Sequence, residues 1–233
     1  MKYRTKTIKS GDLLELEIFP IIEVKGKFRR QRLNPTGEPQ ARINRKNREK
    51  KLLRKIYCNF SKSDYFLTLT FRKKVDEAAA KKAIANYLRR LRRQYQKENK
   101  ELKYIYVLEK GQGNIHFHLL INSFDVAAIM DSWKEGFVKL KSLRDSYENL
   151  ARYLLKEAKD RSRAWNCSKN LKEPKITIND NKFSRRRVEK MKDSLELYSF
   201  VEKLYEKYTY VDSFVKDGFF IDGLYCYIKL RRE

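Results

Sequence analysis

Three stretches of this sequence predict an α+β fold built on a central antiparallel β-sheet with flanking helices. Tyr65–Phe71, YFLTLTF, alternates apolar and polar side chains as a half-buried strand does. Lys103–Ser123, KYIYVLEKGQGNIHFHLLINS, holds two β-prone runs joined at Gly111-Gln112-Gly113-Asn114, a tight turn that makes its strands antiparallel. Around them, apolar residues recur at helical spacing from about 76 to 99 and from 145 to 159. Helices interleaved with antiparallel strands cover the sheet they flank.

Size and charge limit what the chain can be. Its 233 residues suit one domain with an appendage: we expect 1–170 as the main domain and 171–233 as a C-terminal α/β extension. With 41% hydrophobic residues a real core can form, although 36% are charged. Lys and Arg number 55 against 30 Asp and Glu, giving a formal charge of +25, which points to a polyanion, most simply nucleic acid. No apolar run approaches the roughly 20 residues that span a bilayer, so no membrane is expected. The first residues, MKYRTKTIKSGD, lack the apolar centre of a signal peptide. Three scattered cysteines, Cys58, Cys167 and Cys226, support neither a disulfide framework nor a zinc ribbon. A reducing cytoplasm is the expected setting.

Taken in order, Thr5–Lys9 and Leu13–Val24 read as a hairpin turning at Ser10-Gly11-Asp12. Lys25–Ile56 carries thirteen Lys or Arg against two Glu, with breakers at Asn34-Pro35-Thr36-Gly37-Glu38-Pro39 and a helix over about 40–57. Charges of one sign repel one another unless a counter-charge arrives. Arg29, Arg30, Arg42, Arg45, Lys46 and Arg48 are therefore expected to contact phosphates. In YFLTLTF, Leu67, Leu69 and Phe71 face one way and Phe66, Thr68 and Thr70 the other; the strand is expected near the centre of the sheet. Asp76 caps a helix with Ala80, Ile84, Leu88, Leu91 and Tyr95 on its apolar side. Asp125–Trp133 suggests a short helix and Gly136–Leu140 a short strand.

On the helix over 145–159, Tyr147, Leu150, Ala151, Leu154 and Ala158 form the buried stripe. Tyr153 lies off it, on a flank with Asn149 and Lys156, so it is not needed as core. Beyond it the pattern predicts a brief strand over 175–178, one amphipathic helix over 184–208 and a closing hairpin over 219–230 around Asp222-Gly223.

His116 and His118, the two histidines of the chain, sit at i and i+2, which on a strand puts both rings on one face. A single strand histidine is most often structural. Two in an otherwise apolar strand both need partners. If Lys110 pairs with Ile115 across the turn, Glu109 stands opposite His116 on that same face. The resulting His-His-Glu set suits a divalent cation with open positions. A slip of one residue would turn Glu109 away and leave Gln112 or water as third ligand.

In this order, YFLTLTF, His116-Phe117-His118 and Tyr153-Leu154-Leu155-Lys156 resemble the HUH endonuclease superfamily. Over roughly residues 1–170 the chain looks most like rolling-circle replication initiators of plasmids, phages and mobile elements. The resemblance implies that the His-apolar-His strand binds a divalent metal and that Tyr153 attacks DNA, with Lys156 steadying the phosphate or the phenolate. A phenol titrates at about pH 10, so it needs such help. Attack would leave a 5′-phosphotyrosine and a free 3′-hydroxyl, and the retained bond energy lets the strand be rejoined without ATP.

Asn149 occupies the position one turn before Tyr153, where some relatives carry a second tyrosine. The sequence therefore implies a single-tyrosine enzyme, and a homo-oligomer is one way to supply a second nucleophile. No Gly-x-x-x-x-Gly-Lys-Ser/Thr stretch is present, so a host helicase and polymerase are expected partners. The metal is expected to be Mg²⁺ or Mn²⁺, and the substrate single-stranded DNA or an origin hairpin. A single-tyrosine transposase or relaxase would use the same reaction. From another class, a noncatalytic nucleic-acid-binding protein accounts for the charge equally well but gives no reason for Tyr153 to leave the core beside a lysine.

Overall fold

A computed structural model describes residues 1–21, 37–110, 114–143, 147–156, 165–217 and 223–232. In chain order the elements are β1 (Tyr3–Ser10), β2 (Leu13–Pro20), α1 (Glu38–Asn59), β3 (Tyr65–Phe71), α2 (Glu77–Lys97), β4 (Tyr104–Lys110), β5 (Ile115–Ile121) and α3 (Val126–Asp131). These are followed by β6 (Gly136–Ser142), α4 (Glu148–Leu155), β7 (Asn166–Cys167), β8 (Lys175–Asn179), α5 (Arg185–Lys190), α6 (Ser194–Leu204), β9 (Tyr208–Asp217) and β10 (Leu224–Arg232). The fold is α+β, with two five-stranded sheets among the described residues and every pairing antiparallel.

The chain forms two compact units, one of residues 42–172 and one of 1–41 with 173–233. In the first, strands run β6-β3-β5-β4-β7, so the histidine strand β5 is central and YFLTLTF lies beside it. Alternation sends Leu67, Leu69, Phe117, Leu119 and Ile121 to one face, where they pack with Ala80, Ile84, Leu88, Leu91 and Tyr95 of α2. Asp76 caps α2 by accepting from the Ala79 amide at 2.7 Å. Trp133 is buried in the same core, and its indole N–H donates to the Thr70 carbonyl at 3.0 Å. With one face sealed by this core, the other is left for chemistry.

In the second unit, strands run β8-β1-β2-β10-β9. The sequence grouped the N-terminal hairpin with the segment that follows it, but β2 pairs with β10 and β1 with β8, both from the C-terminal region. The single helix expected over 184–208 is two, α5 and α6, because the Asp193 carboxylate accepts from the amides of Leu195 and Glu196 and starts a new helix. That restart rotates the apolar face: Leu195 is 79% exposed, while Leu197 and Phe200 are buried. Residues 208–217, read in part as the end of that helix, are strand β9 of the closing hairpin. Gly223, at φ 132°, opens β10 in a conformation that suits glycine alone.

Candidate metal centre and basic groove

The turn between β4 and β5 places Glu109 opposite His116 and Lys110 opposite Ile115. Asn114 steadies that turn, its side-chain amide reaching the carbonyls of Phe71 and Lys73 on the neighbouring β3 side at 3.3 and 3.2 Å. Glu109 Oε2 lies 3.3 Å from His116 Nε2 and 2.5 Å from His118 Nε2. One ligand atom from each of these residues falls within 4.8 Å of the other two, a group that could hold a metal ion. Gln112 lies outside the described residues.

The remaining ring nitrogens also have partners. His118 Nδ1 stands 3.3 Å from Thr68 Oγ1, and His116 Nδ1 stands 3.4 Å from the Asn114 carbonyl. Such partners orient metal-binding imidazoles, so both Nε2 atoms can turn toward Glu109. Burial lowers the His118 pKa below its ordinary 6.5, against the pull of the Glu109 carboxylate, and favours the neutral ring that a cation requires. Two imidazoles and a carboxylate on one face fit a three-ligand divalent site.

Tyr153 reaches this cluster from α4. Tyr147, Ala151 and Leu154 bury the helix, and the Tyr147 ring meets Tyr57 of α1 at 4.8 Å between centroids. Tyr153 stays 48% exposed, and its hydroxyl lies 3.1 Å from His118 Nε2. Phe66 completes an aromatic corner, nearly parallel to His118 at 11° and edge-on to Tyr153 at 74°.

Beside Tyr153 is a groove of about 580 Å³ lined by Arg42, Arg45 and Lys46 of α1 and by Arg152 and Lys156 next to the tyrosine. Glu49 is the acidic residue on its wall, 3.5 Å from Arg152. Arg48 is exposed on α1 but does not line the groove, and Arg29 and Arg30 lie outside the described residues. The C-terminal half of α1 carries its buried residues Leu52, Leu53 and Ile56, whereas Ile43 is half exposed.

Sequence reasoning did not single out Thr68, Phe66 or Arg152. Alternation in YFLTLTF had already turned Phe66 and Thr68 away from Leu67 and Leu69. What local pattern lacked was the pairing of β3 with β5, which sets Thr68 opposite His118. No helix of the described residues is long and apolar enough to cross a membrane.

No curated protein and no solved structure matches this chain. Residues 64–158 match a family model for replication-associated proteins of the ORF2 type, a span that runs from β3 through α4 and holds Glu109, His116, His118, Tyr153 and Lys156. Over this segment the chain is similar to replication-associated proteins, which supports a replication initiator that works on nucleic acid.

Proposed function

We propose that this protein nicks and rejoins single-stranded DNA through a 5′-phosphotyrosine on Tyr153, and so initiates rolling-circle replication. The observation that carries this reading is the 3.1 Å approach of the Tyr153 hydroxyl to His118 within the Glu109–His116–His118 cluster. When bound there, a divalent cation, Mg²⁺ or Mn²⁺, supplies Lewis-acid polarisation of the scissile phosphate. The Tyr153 oxygen forms a bond to phosphorus as the bond to the 3′-oxygen breaks. The phenol gives up its proton and the departing 3′-oxygen takes one up, so atoms and charge balance. Reversal by the 3′-hydroxyl restores the strand and frees Tyr153 without ATP.

Lys156 lines the same groove as Tyr153, which supports a role in holding the phosphate. Arg42, Arg45, Lys46 and Arg152 give that groove the charge to track a DNA backbone. Asn149, also on its wall, supplies no second phenol, so each site attaches one strand at a time.

The test is incubation with a labelled pool of random single-stranded DNA and Mn²⁺, followed by denaturing electrophoresis. A denaturant-stable adduct supports the reading. Its absence, with salt-sensitive binding intact, leaves a noncatalytic nucleic-acid-binding protein.

A further inference from the structure

We propose that the edge strand β6 is a single-stranded DNA platform, with a base stacked on Phe137 and phosphates held by Lys139 and Lys141. The inference rests on the strand-transfer reading and adds to it where the substrate lies beyond the groove.

The open face of the sheet is organised in cross-strand rows. Phe137, Thr70, His116 and Glu109 form one row; Lys139, Thr68, His118 and Val107 form the next; Lys141, Phe66, Leu120 and Ile105 form the third. Residues directly paired across antiparallel strands share a face, so the candidate metal cluster and the outward side of β6 are one surface. Two strand spacings put the backbone of Phe137 about 10 Å from that of His116, one or two nucleotides away.

That surface has the two things a single strand needs. Phe137 is 64% exposed, with the Arg72 guanidinium 5.7 Å from its ring centroid. Lys139 and Lys141 follow it at alternate, exposed positions. An aromatic among cations is how proteins grip unpaired bases without regard to sequence. The strand is also held firmly, because Gly136 lies so close to β3 that a Cβ there would come within 2.1 Å of the Thr70 carbonyl oxygen.

The rows also give the strand a direction. Tyr153 meets the cluster at the His118 and Phe66 side. In an in-line displacement the leaving oxygen points away from the attacking one. The 3′-hydroxyl side of the nick is therefore directed toward the row that contains His116 and Phe137.

Binding to (dT)₁₅ by fluorescence anisotropy tests the platform separately from cleavage. Phe137→Ala should weaken binding about tenfold and Phe137→Trp should restore it. Lys139→Gln with Lys141→Gln should reduce the slope of log K against log salt by about 1.4. Unchanged affinity in Phe137→Ala overturns the platform, whatever Tyr153 does; absence of an adduct in wild-type protein overturns the strand-transfer reading instead. With a cleaved sequence taken from the random pool, 5-iododeoxyuridine one or two nucleotides upstream of the nick should crosslink to Phe137. Crosslinking only from downstream positions would overturn the assigned direction.

Discussion

The Tyr153 hydroxyl and His118 Nε2 stand 3.1 Å apart across 35 residues of sequence. One belongs to a helix of eight residues and the other to the central strand of the sheet. Their rings meet edge to face, with centroids 4.9 Å apart, and Phe66 touches both. The short helix is held where it is by buried apolar residues, so an exposed phenol is kept beside a buried imidazole.

That relationship predicts the behaviour of Tyr153→Phe. The ring remains and only the hydroxyl goes, so the loss of stability should be about 1 kcal/mol or less by thermal denaturation. Single-stranded DNA should bind within about twofold of wild type while the denaturant-stable adduct disappears. Retention of the adduct would assign the nucleophile to another residue.

Thr68 should matter through His118. Thr68→Val keeps the shape but loses the oxygen 3.3 Å from Nδ1, and Mn²⁺ affinity should fall about 10- to 100-fold by calorimetry. Thr68→Ser should preserve it. Equal affinity in all three proteins would show that the hydroxyl does not orient the ring.

The groove should show itself in salt dependence. Changing Arg42, Arg45 and Lys46 together to Gln removes three cations from its wall. The slope of log K against log salt for single-stranded DNA should become shallower by about 2. A slope equal to wild type would mean that the backbone runs elsewhere.

Glu77 offers a prediction in acid. Its carboxylate meets Lys110 at 2.6 Å and Lys81 at 2.9 Å, and these ammonium groups lower its pKa from 4.5 to about 2. A depressed folded-state value favours the folded state above pH 4.5, and that contribution is lost as pH falls through about 2. Urea midpoints of wild type and Glu77→Gln should therefore converge between those values, with a small gap above them that salt reduces further. A gap that widens in acid would contradict the sign.

Some of the site was legible in the sequence because it is local. The turn after Lys110 links strands only a few residues apart, so the pairing of Glu109 with His116 followed from hairpin geometry. Asp76 marked the start of α2 for the same kind of reason: a carboxylate two or three residues from free amides. The break at Asp193 was local too, yet an uninterrupted apolar period on either side hid it, and Leu195 and Tyr198 were placed on the wrong face.

By itself the sequence determined the α+β class, the alternation of YFLTLTF, the paired imidazoles and the excess of positive charge. Each depends on residues that are neighbours along the chain, where propensity and side-chain period act directly. Tertiary structure alone decided that Thr68 lies against His118, that Arg152 joins α1 around one groove, and that the first hairpin completes a sheet with the last strands. Those contacts bring together distant segments, and which edges and faces meet is settled by how the whole chain buries its apolar surface, not by the residues on either side of the contact.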